Sequence, residues 1–280
     1  MSIKIVTDST CDLPESVVAD FGITVIPAYI NVGDQSYLDG VELSRQEFYR
    51  RLPDWESLPT TAVPGPEVFR QAYERLADEG ATEVLSVHIS ISLTAVLNSA
   101  RLAAKETSRV PVTVLDSRQL TLGTGFLVET AAKAAAEGHS VSEIIGLLEE
   151  QISRTHVFAA LDTLEFLRRS GRMNWAMAGL GTILDIKPIL RMYDGNPTAE
   201  RVRTRKGAIE RLINLLNDLV PLERVALVHA HAPDRAEDLR KRVQHLLPKG
   251  EIPSVEITPV IGAHIGPGAV GFACVTARRE

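Results

Sequence analysis

Apolar and polar positions in the first half of this chain follow two alternating rhythms. "IKIVTDS" is a short apolar run ending in polar residues, the pattern of a buried strand. "DLPESVVADFG" has helical spacing; Asp12 is placed to cap it, Glu15 lies three residues on, and Gly22 stops it. "ITVIPAYINV" and "QSYLDG" predict a strand and a hairpin-like return, and "SRQEFYRRLP" a short helix capped by Ser44. "SLPTTAVPGPEVF" reads as a proline-rich loop leading into the amphipathic helix "PEVFRQAYERLADEG", with Pro66 in its first turn. Strand "ATEVLSVHIS", helix "TAVLNSARLAAKET", strand "VPVTVLDSR" and helix "GFLVETAAKAAAEG" continue the alternation.

Strand and helix in alternation predict a parallel sheet covered on both faces. The rhythm breaks near residue 155. "HVFAALDTLEFLRRSG" and "AMAGLGTILDIKPILRMYDG" lead to a charged segment, helix "KGAIERLINLLNDL", strand "RVALVHAH", helix "RAEDLRKRVQHLL", and strands "SVEITPVIG" and "VGFACVTA". The expected fold class is α/β. An N-terminal parallel-sheet α/β/α domain spans residues 1–155, and a C-terminal α+β domain with a mostly antiparallel sheet spans 156–280. No internal repeat or low-complexity segment interrupts this plan.

Composition narrows the function classes. The chain has 280 residues, 45% hydrophobic and 24% charged, which is ordinary for a globular protein with a sizeable core. A net charge of -6 without a basic tract, and only 5% aromatics, argue against a nucleic-acid surface. Cys11 and Cys274 lie far apart and form neither a metal spacing nor a disulfide framework. "MSIKIVTDST" lacks the layout of a signal peptide, and no apolar run approaches the ~20 residues of a membrane span. A cytoplasmic protein without metal or cofactor is expected.

In an open parallel sheet, ligands bind outside the carboxyl ends of the strands. Three predicted strands end in Thr7-Asp8-Ser9-Thr10, in His88 to Thr94, and in Asp116-Ser117-Arg118, and the loop around Thr60 and Thr61 adds two hydroxyls. Ser92 and Thr94 precede a helix, where free amides and the helix dipole favour an anion such as a carboxylate or phosphate; the same residues also suit plain N-caps. No G-x-x-x-x-G-K-[ST] or G-x-S-x-G is present, and "GTGFLV" and "GLGTIL" support a dinucleotide site poorly. His229 and His231 lack acidic or cysteine partners nearby in sequence and read as satisfied polar side chains rather than zinc ligands.

Several stretches together resemble the DegV family: "VTDSTCDLP", "LPTTAVPGPEVF", "ISISLTAVLNSARLAA", "VLDSRQLTLGTG", "LEFLRRSGRM", "ILDIKPIL", "VRTRKGAIERL" and "VIGAHIGPGAVG". The resemblance runs in order along essentially the whole chain. It implies a two-domain protein that binds a long-chain fatty acid and serves a fatty acid kinase. A separate kinase subunit then converts the bound carboxylate to acyl phosphate for phospholipid synthesis. It implies Thr61 and Thr94 as head-group ligands, with Thr94 where the family usually has serine before Gly-Thr, and Ala62-Val63 where Ser-Gln is common. Peripheral contact with a membrane is compatible with that role. The apolar stretch "MNWAMAGLGTILDIKPIL" fits either a lipid tunnel wall or a buried core helix.

Two further residues are singled out. His264 is expected at the end of a strand, beside the loop Gly266-Pro267-Gly268, facing Thr61 and Thr94 and partly protonated near neutral pH because an adjacent anion raises it. Arg201, Arg203 and Arg205 alternate, so in an extended segment they share one side; the resemblance singles out Arg203 for contact with a kinase subunit. Two other classes compete with the lipid carrier. One is a stand-alone phosphatase or acyl transferase using Asp8, Asp116 or His264; the other is a lipid-sensing regulator.

Overall fold

The computed structural model describes residues 2–172 and 186–278. The strands of the first half are β1 (Ile3–Asp8), β2 (Thr24–Ile26), β3 (Tyr29–Val32), β4 (Gln35–Leu38), β5 (Thr60–Ala62), β6 (Glu83–His88) and β7 (Val112–Asp116). Those of the second half are β8 (Thr155–Ala160), β9 (Lys187–Tyr193), β10 (Asn196–Val202), β11 (Leu222–His229), β12 (Ser254–Glu256) and β13 (Val270–Thr276). They form a parallel four-stranded sheet β2-β1-β6-β7, a three-stranded antiparallel sheet β4-β3-β5, and a six-stranded sheet β10-β9-β8-β13-β11-β12. The six-stranded sheet is antiparallel except for the β11–β12 pair. The expected fold class is therefore the observed one.

The sheets are joined by a helix that is apolar almost all round, Thr121–Ala136. Such a helix has to be buried on every side. It lies between the parallel sheet and the six-stranded one, and a single hydrophobic cluster runs through both. Two glycines make the approach possible. A β-carbon on Gly123 would sit 2.7 Å from Val157, and one on Gly125 would sit 2.5 Å from the Cys11 carbonyl. The glycines of "GTGFLV" thus serve helix packing.

Strand alternation sorts the six-stranded sheet into two faces. Phe158, Ile189, Leu227 and Phe272 face one way, under the helices Arg205–Asn217 and Pro233–Val243. Their neighbours Val157, Leu190, Met192 and Val228 face the parallel sheet.

Several local expectations are corrected. The first helix is Glu15–Asp20 with Pro14 at its N-cap; Asp12 is buried, left-handed at φ 55, and bonded elsewhere. Thr60–Ala62 is a strand rather than loop, because Thr61 pairs with Ile30. "SVEITPVIG" is a strand only to Glu256; Pro259 opens a short helix, Pro259–Ile265. The helix Val141–Ile152, absent from the expected plan, is closed by a capping box of Ser140 and Glu143.

Candidate functional site

The parallel sheet reverses its strand order between β1 and β6, the point where a crevice opens. There a cavity of about 160 Å³ lies between the two large sheets. One wall comes from the first half, with Ala28, Ile89, Leu93 and Leu120. The other comes from the second half, with Val157, Leu190, Met192 and Val228. Polar side chains interrupt this apolar lining at Thr10, Thr61, Thr94, Thr121, Arg172, Arg191 and His264.

Thr61 and His264, far apart in sequence, meet here. Thr61 Oγ1 is 2.9 Å from His264 Nε2. Thr61 is delivered by β5, and His264 by the last turn of the helix Pro259–Ile265 rather than by a strand end. The small residues around His264 answer to packing. A β-carbon on Gly262 would meet the Tyr49 hydroxyl at 2.4 Å, and Gly266 ends the helix at φ 74 against the Phe166 ring. His264 Nδ1 is buried and has no hydrogen-bond partner among the described residues. Burial, and then the charge of Arg172, hold the imidazole down at about 4. A ring so held is neutral at pH 7.

Thr94 lines the cavity and is not spent as a cap; the helix Val96–Glu106 has Ala95 at its N-cap with no side-chain bond. Ser92 is not brought into the cavity: it is exposed, and its hydroxyl lies 3.0 Å from that of Ser90. The third strand end also turns away. Ser117 is buried against Thr124, and Arg118 reaches Asp194 and Glu149, each at 3.0 Å. Leu120 and Thr121 reach the cavity in their place.

The three arginines do not share a strand face. Arg201 is in β10, Arg203 is exposed in the bend that follows, and Arg205 begins a helix and pairs with Asp162 at 3.1 Å. Asp8 is sealed, with its carboxylate 3.0 Å from His88 Nδ1 and no exposed surface. His229 Nδ1 accepts from Ala232 N–H at 3.3 Å, and His231 lies 3.1 Å from Glu256. Among the described residues no cluster of His, Cys, Asp or Glu could hold a metal ion, and no helix is long and apolar enough to cross a membrane.

Thr10, at the end of the first predicted strand, lines the cavity as that strand end suggested, whereas Arg172, Arg191 and Thr121 line it without having been singled out from sequence. Arg172 follows Gly171, which leaves the helix Glu165–Arg169 at φ 72, so a helix stop just before an arginine was the available signal. Most of "MNWAMAGLGTILDIKPIL", residues 173–185, lies outside the described residues.

These features define a class: a protein of two linked sheets, one parallel and one mostly antiparallel, with an apolar cavity between them that carries a hydroxyl–imidazole pair in its wall. The model of the DegV family, described as one of uncharacterised proteins, matches residues 2–277. A DegV domain-containing protein of Deinococcus radiodurans is 40% identical over 277 residues, 98% of each chain. A solved structure from Thermus thermophilus, described as fatty acid binding of a DegV family protein, aligns at TM-score 0.90 and 35% identity over 99% of this chain and 100% of that one. The DegV structure of Bacillus subtilis, described as a fatty acid binding protein, aligns at TM-score 0.90 and 30% identity with the same coverage. The chain belongs to the DegV family.

Proposed function

We propose that this chain binds a long-chain fatty acid, with the acyl tail in the cavity between the sheets and the carboxylate at Thr61, Thr94 and His264. A separate kinase subunit then phosphorylates the held carboxylate, and the product is an acyl phosphate. The observation that carries the reading is the Thr61–His264 contact set into a mostly apolar cavity. The relatives from Thermus thermophilus and Bacillus subtilis, described as binding fatty acids, support it.

The parts of such a ligand have unequal roles. Each buried methylene contributes about 0.8 kcal/mol, so the tail dominates affinity. A hydrogen bond to a charged group contributes about 1.5–3 kcal/mol, so the hydroxyls fix orientation and add to binding. A neutral His264 that donates its Nε2 proton to Thr61 leaves the Thr61 hydrogen free for the carboxylate. The arriving anion favours protonation of His264, which then faces the growing negative charge of the acyl phosphate. Arg172 adds a fixed positive charge beside it.

Native mass spectrometry of the purified protein tests the ligand; a co-purifying long-chain acid is expected. Thr61→Ala with Thr94→Ala is expected to weaken its binding at least about tenfold, and unchanged affinity in the folded variant overturns the head-group assignment. Single-turnover phosphorylation with a cognate kinase subunit tests the second half of the reading. His264→Ala is expected to slow phosphorylation far more than it weakens binding. Arg203→Ala, in an exposed bend, is expected to abolish phosphorylation with affinity intact. Wild-type rates remove these residues from the reaction.

A further inference from the structure

The helix Pro259–Ile265 carries His264 in its last turn, so the anchoring of its first turn decides where the imidazole lies. The anchor is built from the other half of the chain. Thr258 donates its backbone N–H to Asp12 Oδ1 at 2.8 Å and its hydroxyl to Asp39. The two preceding carbonyls are held as well, Ile257 by the Tyr49 hydroxyl at 3.2 Å and Glu256 by Arg45. Arg45 in turn lies 3.2 Å from Asp12.

The other oxygen of Asp12 accepts the Thr121 hydroxyl at 2.6 Å, and Thr121 lines the cavity at the start of the joining helix. Asp12 and Thr121 are both left-handed, at φ 55 and φ 47. An aspartate tolerates that conformation, but a β-branched threonine holds it only where its surroundings impose it, and such strain gathers at functional sites. Asp12 and Asp39 are 0% and 3% exposed. A helix start needs only one hydroxyl or carboxylate as its cap. Two buried carboxylates, an arginine and a tyrosine exceed that need.

We propose that Asp12 is a positioning residue for the Thr61–His264 pair, binding a cavity-wall residue and the first turn of the His264 helix to one carboxylate. The imidazole is thereby set against Thr61 before any ligand arrives. This rests on the reading of His264 as part of the head-group site, but the geometry it asserts can be measured without ligand.

The test is nuclear magnetic resonance of isotope-labelled histidine in the ligand-free full chain. The wild-type His264 ring is expected in a single neutral tautomer at neutral pH. In Asp12→Ala the tautomers mix and the titration of His264 moves up toward its ordinary 6.5. Asp12→Asn keeps an acceptor for Thr258 and a polar partner for Thr121, and is expected to restore the wild-type signals. Thr121→Val, which deletes only the hydroxyl bound to Asp12, gives a smaller shift in the same direction and decides the matter if Asp12→Ala does not fold. Ile144→Val, a core truncation away from the Asp12 network and the cavity lining, leaves His264 unchanged. Binding of a fluorescent long-chain acid is then expected to weaken about tenfold in Asp12→Ala and far less in Asp12→Asn. A folded Asp12→Ala or Thr121→Val with unaltered His264 signals overturns the proposal, as does an equal shift in Ile144→Val. If the wild type binds no fatty acid, the functional reading fails, while the histidine signals still decide the role of Asp12.

Discussion

Asp8 and Asp12 sit close together in sequence, both without exposed surface, and burial has opposite outcomes for them. Burial alone would raise Asp8, but His88, Thr10 and the Ile89 N–H outweigh it and hold its carboxyl below the usual 3.8. For Asp12, burial wins over Arg45, Thr121 and Thr258, and the carboxyl is pushed up to about 6. The difference lies in who owns the donors. Those of Asp8 all come from the ends of β1 and β6, adjacent strands of one sheet, at the point where the strand order reverses. Those of Asp12 come from separate elements in both halves of the chain. It also shares Arg45 with Asp39, which burial raises too and whose Oδ1 has no partner among the described residues. A carboxylate inside a rigid local donor set is held as an anion. One that serves as a junction is held less completely.

The largest effect expected from breaking this contrast is at Asp8. Asp8→Ala strips His88 Nδ1 of its partner and leaves the Ile89 and Thr10 amides without an acceptor, all inside the core. Each buried donor so left unsatisfied costs about 1–3 kcal/mol, and three of them make this the largest loss. Urea denaturation at neutral pH measures it, and a loss below about 1 kcal/mol contradicts the role given to Asp8.

The pH dependence of Asp12 and His264 is next in size, and the two have opposite signs. The folded value of Asp12, about 6, lies above its ordinary 3.8, so its contribution to stability is full below 3.8 and lost as pH rises through about 6. His264 is depressed from 6.5 to about 4, so its contribution is present above 6.5 and lost as pH falls through about 4. Over the same window the two largely offset each other. Asp12→Asn is expected to gain on wild type by about 2 kcal/mol as pH rises from about 4.5 to 7. His264→Gln is expected to gain by a similar amount as pH falls over that range. His156 and His229, also lowered by burial, titrate alike in all three proteins and drop out of the differences. Parallel stability profiles for the three proteins refute both assignments.

The same contrast marks what the sequence could show. The ends of β1 and β6 were legible as the edge of a crevice, since short apolar runs ending in polar residues are local features. Asp12 was not. Its position before a helical pattern suggests a cap, whereas its partners Thr121 and Thr258 are 109 and 246 residues away. His264 was legible as a partner of Thr61, but its helix was hidden by glycines that break the helical pattern. There the Thr258-Pro259 start was the better signal. The capping box at Ser140 was equally plain in sequence; counting strand–helix alternation passes over it because two helices follow each other without a strand between. The alternating arginines mislead because Thr204 caps a helix in their midst, which ends the extended run.

The smallest effect tests how far the Asp8 network is sealed from the cavity. Beyond His88 the chain of contacts continues from Nε2 to Ser86 Oγ at 2.6 Å and from there to the Tyr73 hydroxyl at 2.9 Å, all of it buried. Tyr73 belongs to the helix Pro66–Asp78, which packs on the parallel sheet through a hydrophobic cluster of its own. Tyr73→Phe keeps the ring and its packing and deletes only the terminal hydroxyl. Ser86 retains His88 as a partner, so no buried polar group is stranded, and the loss is that of one hydrogen bond, about 1 kcal/mol. Asp8, two contacts further on, keeps every donor it has. The variant is therefore expected to lose stability by the same amount at pH 5 and pH 8, and to bind a fluorescent long-chain acid with wild-type affinity. If Tyr73→Phe weakened binding, motion in the sheet would have to reach the cavity through Asp8 and Thr10, and the two carboxylates would belong to one coupled system.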